Sequence, residues 1–197
     1  MGCDIHMMVE VKKTINNDEK WVSYDHFRKN PYFGVFDDED ELERVDLYSS
    51  RNYVTFSQLC GVRSYFDDSP RISNPRGVPS DSCNYISDEV KKWDGDGHSH
   101  SFATLAEIIA FRANLAPTKF KGMISQQQAR ELDNEGKKPE SWCGWTSNDS
   151  YVHREWEDVV DALKPIEDAL EKRALENWWH KDSIQAENIR IVFFFDN

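Results

Sequence analysis

Long apolar runs are missing from this 197-residue sequence, whose longest covers only residues 191–195. A membrane-spanning helix needs about 20 apolar residues in succession. The start of the chain also lacks the basic and then apolar segments of a secretion signal. The four cysteines form no Cys-x-x-Cys pair, so we expect free thiols in a reducing compartment. These absences predict a cytoplasmic protein without membrane contact.

Positive charge is also scarce. The chain has 24 Lys and Arg against 36 Asp and Glu, a net charge of −12, whereas proteins that bind nucleic acid generally present a basic face. The sequence contains no Gly-x-Gly-x-x-Gly, no phosphate-binding loop ending in Gly-Lys-Ser/Thr and no Gly-x-Ser-x-Gly. General nucleic-acid binding is therefore not expected, whereas a local basic pocket for a small anion is compatible with this net charge.

The two ends of the chain are the clearest strand patterns. Residues 3–13 alternate between apolar side chains and mostly polar ones, including Asp4 and His6, which is typical of a β-strand with one buried face. Residues 189–197 are almost continuously apolar, which indicates a central strand buried on both faces. Together with helical patterns between them, they predict one α+β domain over residues 1–197. Its mixed or antiparallel sheet would contain both terminal strands, with helices and long loops between.

Helical patterns occupy much of the middle of the chain. Thr104 and Glu107 have the spacing of a capping box and predict a helix that continues to about residue 114. The longest apolar stripe, over 151–178, predicts a helix that Pro165 kinks or splits. Shorter helices are predicted over residues 53–62, 87–93 and 125–132. The rest of 118–150 carries no pattern that assigns it.

Four segments resemble a family of small proteins of tailed bacteriophages and prophages. They are the start MGCDIH (residues 1–6), PRGVP (75–79), GHSHS (97–101) and the ending RIVFFFDN (190–197). The resemblance spans the whole chain but is concentrated in these places. It implies an origin, a viral protein made in the cytoplasm of a bacterial host, and not an activity.

Histidines and carboxylates form the first candidate site. His98 and His100 are two positions apart, as are Asp4 and His6, so in extended segments each pair would point to one side. Imidazole and carboxylate ligands suit Zn²⁺, Mn²⁺ or Fe²⁺, so these four residues are predicted metal ligands. Asp4, His98 and Asp196 are predicted catalytic residues, and Asp196 joins them only if the terminal strands pair antiparallel.

Two other interpretations of the histidines remain open. In a metal-free site, a pair of histidines would serve as general acid and base on either side of a phosphodiester. In a structural interpretation, His98 and Ser99 brace the helix that begins near Thr104, and His6 is a hydrogen-bonded residue at a strand edge.

Arginines in loops form the second candidate site. Four of them, at positions 51, 63, 71 and 76, lie within 26 residues of an otherwise acidic chain. Arginine captures phosphate or carboxylate with two parallel hydrogen bonds, so Arg51, Arg63 and Arg76 are predicted to bind an anionic ligand. The alternative is that each arginine pairs with a surface carboxylate. Aromatic residues such as Trp142 could stack on a base, but loop anchoring is the commoner role.

These observations lead to three functional hypotheses. The first is a phage accessory hydrolase, dependent on a divalent metal, that acts on a phosphorylated small molecule or nucleotide. The second is a non-catalytic protein that sequesters a nucleotide signal or inhibits a host defence protein. The third is an interaction protein whose acidic surface engages a basic partner.

Overall fold

The computed structural model describes residues 2–35, 40–93, 95–176 and 184–197. The strands are β1 (Asp4–Ile15), β2 (Asp18–Ser23), β3 (His26–Lys29), β4 (Leu42–Val45), β5 (His98–Thr104), β6 (Thr118–Ser125), β7 (Tyr151–Asp158) and β8 (Ile189–Asp196). The helices are α1 (Tyr53–Cys60), α2 (Asn84–Lys92), α3 (Leu105–Ala113), α4 (Gln126–Glu135) and α5 (Lys164–Leu175), with a 3₁₀ turn at Ala186–Asn188.

The main sheet has the order β2-β1-β8-β5, and each neighbouring pair is antiparallel. Strand β8 lies between β1 and β5, and its residues from Ile189 to Phe195 are all buried. The predicted central strand, the pairing of the terminal strands and the α+β class are thereby confirmed. No helix in the described ranges has the length and apolarity that a membrane span requires.

Each face of this sheet packs against a different set of elements. Ile5 and Met7 of β1 belong to the larger core, which includes residues of α1, α3 and α5. Met8 and Phe194 lie on the opposite face in a smaller cluster with Ile86 of α2. Because side chains of β1 alternate between the two faces of the sheet, as predicted for residues 3–13, each one packs against the helices on its own face.

Strands β6 and β7 form a separate two-stranded antiparallel sheet with α4 beside it. The predicted helix over 151–178 was wrong in its first part, because Tyr151–Asp158 pairs with β6 from end to end. Trp156 stacks on Phe120 with 5.7 Å between ring centroids. Trp156 fits both the buried face of a strand and the apolar stripe of a helix, so the spacing of apolar residues alone did not distinguish a strand from a helix here.

Pro165 begins a helix and does not kink one. Helix α5 starts at Lys164 with this proline in its first turn, where the missing backbone N–H costs nothing because that turn has no intrahelical acceptor. Positions 177 and 178 of the predicted helix lie outside the described residues.

Local capping signals were more reliable than periodicity. The Thr104–Glu107 capping box is present, and Gly61 ends α1 with a φ of +80°. Helix α4 also begins at the predicted place, after Ser125. Helix α2 begins at Asn84, three residues before the predicted start, and the short strand β4 lies in a region for which no strand was predicted.

Candidate ligand-binding site

A cavity of about 430 Å³ lies between α1, the loop that follows it, strand β6 and residues 142–144. Pockets that hold small molecules typically measure about 300–1,000 Å³. Two of the arginines predicted to bind an anion, Arg51 and Arg63, line this cavity. The structure thus brings two of the predicted ligand-binding residues to one place.

The charge of the cavity wall is opposite to that of the whole chain. Its lining contains Arg51, Arg63 and Lys119, and no Asp or Glu from the described part of the chain. The chain as a whole has a net charge of −12. An anion that enters the cavity therefore meets cationic donors and no carboxylate on the wall itself.

Helix α1 holds the two arginines near its opposite ends. Arg51 precedes the N-cap Asn52, whose side chain accepts a hydrogen bond from the Val54 amide at 3.0 Å. Arg63 follows the C-cap Gly61 and has a φ of +57°, a conformation that non-glycine residues rarely adopt. Since eight helical residues span about 12 Å, the backbones of the two arginines are separated by about the length of the helix.

Neutral groups hold Arg63. Its Nη2 donates to Oδ1 of Asn197 at 2.9 Å, and its guanidinium carbon lies 5.7 Å from the centre of the Tyr53 ring. Both contacts orient the guanidinium without cancelling its charge.

Aromatic rings form another part of the wall. Trp142, Phe120 and Tyr65 line the cavity, and the rings of Trp142 and Phe120 are 5.5 Å apart. The Trp142 indole N–H donates to the Tyr65 hydroxyl at 3.4 Å. Gly122 allows this packing, because a Cβ there would approach Trp142 Cδ1 to 2.9 Å. Trp145, three residues after Trp142, is 78% exposed and does not line the cavity.

Two wall hydroxyls have no hydrogen-bond partner in the described structure. Ser69 and Thr118 line the cavity, and they are only 5% and 4% exposed. A buried polar group without a partner costs about 1–3 kcal/mol. The hydroxyls of Ser69 and Thr118 are therefore free to bond a ligand in the cavity.

Carboxylates just outside the lining hold the other two cations. The Arg51 Nε donates to Oδ1 of Asp4 at 2.7 Å, and its Nη2 bonds the second oxygen. Lys119 Nζ lies 2.6 Å from an oxygen of Asp68. The hydrogen bond from Arg51 holds the pKa of the Asp4 carboxyl below its usual value, so Asp4 is ionised near neutral pH.

Asp4, His6 and Asp196 meet at one end of the main sheet. Asp4 and Asp196 are direct cross-strand partners, so the predicted condition of antiparallel pairing is met. The Asp4 amide donates to Asp196 Oδ1 at 3.1 Å, and His6 Nε2 is 3.1 Å from Asp196 Oδ2. The His6 ring packs against Trp93, with 4.1 Å between centroids.

His98 and His100 do not point to the same side, as the sequence predicted they would. His98 pairs in register with Phe195, whereas the His100 ring stacks 5.2 Å from that of Phe194, on the other face of the sheet. The cause is an irregularity at Ser99, whose φ is +53°, because an extra residue in a strand reverses the alternation that follows. Burial lowers the pKa of His100.

The predicted metal ligands are consequently divided between the two faces of the sheet. Asp4 and His6 lie at one end of β1, with the Asp4 carboxylate bound to Arg51. Within the described ranges, no three His, Cys, Asp or Glu residues are arranged to hold a metal ion. A divalent metal stays a prediction from sequence.

Arg76 is not part of the cavity lining. Its Nη1 donates to Glu107 Oε1 at 2.8 Å, and its guanidinium lies 5.0 Å from the centre of the Phe102 ring. Arg76 therefore fits the alternative interpretation of the loop arginines, in which each one pairs with a surface carboxylate.

Sequence reasoning missed the residues that β6 contributes. Thr118, Lys119 and Phe120 come from a segment that was not assigned, although their burial alternates as in a half-buried strand. Tyr65 and Ser69 belong to the loop that follows α1. Their short-range patterns carried no signal that they would face Arg51 and Arg63.

Comparisons with known proteins yield no relative: no family model, no curated protein and no solved structure matches this chain. The resemblance to phage proteins therefore stays a prediction, and the geometry of the cavity carries the functional argument.

Proposed function

We propose that this protein binds a phosphorylated small molecule with a planar ring, such as a nucleotide, in the cavity beside α1. The observation that carries this proposal is a wall with Arg51, Arg63 and Lys119, and no carboxylate among its described residues, in a strongly acidic chain. A cationic wall of this kind favours anionic ligands over neutral ones.

The arginines suit the phosphate end of the ligand. A guanidinium offers donors in a planar fork that matches two phosphate oxygens. Arg63 is held by the neutral amide of Asn197 and the Tyr53 ring, so its charge is available to the ligand.

The aromatic wall suits the ring end. Stacking of a base on an aromatic side chain contributes about 1–3 kcal/mol, and Trp142, Tyr65 and Phe120 all line the cavity. A ligand that joins a flat ring to a phosphate would use both kinds of wall together.

Calorimetric titration with nucleoside monophosphates tests the proposal. We expect the wild-type protein to bind at least one of them, and Arg63→Ala to bind it about tenfold more weakly, as loss of a charged hydrogen bond implies. Arg154→Ala is the matched control, because Arg154 pairs with Asp133 and does not line the cavity. Absence of binding, or equal loss in both variants, overturns the proposal.

A hydrolase is the second candidate, since Asp4, His6 and Asp196 lie together beside Arg51. A His–Asp pair can serve as a general base, and Zn²⁺, Mn²⁺ or Fe²⁺ would supply a hydroxide if it bound there. Chromatography after incubation separates the candidates: a binder returns the nucleotide unchanged, and a hydrolase returns products. Elemental analysis of the wild type, His6→Ala and His98→Ala/His100→Ala tests the predicted metal.

The biological setting is a further part of the proposal. The protein would act in the cytoplasm of a bacterial host, where it would either sequester a nucleotide signal or inhibit a host defence protein. Both roles need binding without turnover. Pull-down from bacterial lysate with wild type and Arg63→Ala distinguishes them, because a protein partner that ignores the cavity would be retained by both.

A further inference from the structure

Arg51 belongs to two groups of residues at once. It lines the cavity, and it also makes two hydrogen bonds to the carboxylate of Asp4, which is not in the lining. The paired arrangement of a guanidinium with two carboxylate oxygens is the same arrangement that it forms with two phosphate oxygens. A phosphate that takes this Nε–Nη2 edge must displace Asp4, because one edge cannot bind both anions at once.

The Arg51–Asp4 pair is also open to exchange. Its side chains are 54% and 47% exposed, and ion pairs between exposed side chains contribute little to stability because water solvates the separated charges. Glycine at position 2 leaves room around the guanidinium, since a Cβ there would come within 2.5 Å of Arg51 Nη1. The guanidinium can therefore change partner without unfolding its surroundings.

We propose that Asp4 is an internal competitor of the ligand: its carboxylate occupies the Arg51 fork that a phosphate group takes on binding. This inference rests on the proposed function of the cavity. Arg63, whose hydrogen-bond partner is neutral, receives the anion first, and Arg51 then exchanges Asp4 for it.

The released carboxylate has a defined environment. The backbone amide of Asp4 stays bound to Asp196, and Asp196 is paired with His6. Asp4 therefore sets the affinity of the site without contacting the ligand.

The test is whether removal of this carboxylate tightens binding. Asp4→Asn and the control Asp133→Asn change the net charge equally, and each replaced aspartate is 47% exposed and pairs with an arginine. With adenosine 5′-monophosphate and pyrophosphate as probes, we expect Asp4→Asn to bind about three- to fivefold more tightly than the wild type, as removal of an exposed competing pair implies. Asp133→Asn should bind as the wild type does.

A double variant makes the role of Arg51 explicit. In an Arg51→Ala background, Asp4→Asn should change the affinity no further, because the two residues act through one contact. Thermal melting of each variant verifies that it is folded.

The outcomes separate this inference from the proposed function. Wild-type binding with no gain in Asp4→Asn over Asp133→Asn overturns the competitor and leaves the binding function standing. Weaker binding in Asp4→Asn also overturns it and favours a direct role for Asp4. Binding by Asp4→Asn but not by the wild type supports the proposal, with Asp4 competing strongly enough to prevent detectable binding. If neither variant nor the wild type binds either probe, both proposals are wrong.

Discussion

Two carboxylates on the same face of strand β1 have opposite surroundings. Asp4 is half exposed at the end of the strand, where it shares one arginine with the ligand cavity. Glu10 is fully buried and pairs with Arg190 of β8, its direct cross-strand neighbour. The alternation of β1 places both on one face, and burial alone separates their roles.

The Glu10 carboxylate is enclosed by donors. It accepts from Arg190 Nε and from the Cys83 amide, each at 2.8 Å. Arg190 also donates to Asp81 at 3.0 Å and lies 3.9 Å from the Trp21 ring. A charge removed from water depends on such partners, so this pair cannot exchange as Arg51 and Asp4 can. An ion pair that is buried away from water therefore holds the fold together, whereas a solvent-exposed pair such as Arg51–Asp4 is free to exchange partners.

Breaking the buried pair should have the largest effect. Arg190→Met leaves Glu10 charged and unpaired in the core, and removal of one partner of a buried pair costs about 3–5 kcal/mol. Denaturant unfolding measures the loss. Arg51→Met, which breaks the exposed pair, should leave the unfolding midpoint almost unchanged; equal losses in the two variants would contradict the comparison.

In a third carboxylate, Asp25, burial has a larger effect on the pKa than the neighbouring charges have. Burial raises its pKa to about 6, although Arg44 and the hydrogen bond from Val9 oppose the rise. A folded-state pKa above the unfolded value of about 3.9 means that the wild type loses stability as pH rises from about 4 to 6. Asp25→Asn, which cannot ionise, should then exceed the wild type by on the order of 1–3 kcal/mol at pH 7.5.

Urea unfolding of wild type and Asp25→Asn at two pH values provides the measurement. The difference in unfolding free energy should be near its full size at pH 7.5 and much smaller at pH 4.5. The same difference at both pH values would show that Asp25 acts through packing and not through its charge.

Gly2→Ala tests the exposed side of the comparison with a smaller effect. The added Cβ would lie 2.5 Å from Arg51 Nη1, so the flexible guanidinium must shift from the position in which it bonds Asp4 and lines the cavity. We expect adenosine 5′-monophosphate to bind about two- to fivefold more weakly, since one charged contact is disturbed and not removed. Unchanged affinity would mean that the position of Arg51 is unimportant.

Arg76→Ala should have the smallest effect. Its ion pair with Glu107 is an exposed one, and it does not line the cavity. Nucleotide affinity should remain within about twofold of the wild type, because a distant surface charge is screened by salt. A tenfold loss would restore the ligand-binding role predicted from sequence.

Short-range patterns predicted much of the main sheet and several helix ends. The alternation around Ile5 and the apolar run at Phe193 identified both terminal strands, and the Thr104–Glu107 box identified the start of α3. These signals succeed because neighbouring residues decide them: a cap needs a hydroxyl three positions away, and a central strand needs continuous apolar character.

The candidate site was predictable only in part. Arg51 and Arg63 stood out because cations are scarce in this chain, and Asp4 and Asp196 because the terminal strands could pair. Lys119 could not be added, since the strand that carries it pairs with a segment whose periodicity resembles that of a helix.

The alternation of β1, the central position of β8 and the capping box of α3 follow from residues close together along the chain, so the sequence alone was enough to predict them. Only the packing of distant segments brings Arg63 and Trp142 into one cavity, buries Glu10 and leaves Asp4 half exposed to solvent. The physical reason is that burial and charge pairing depend on which distant segments pack together.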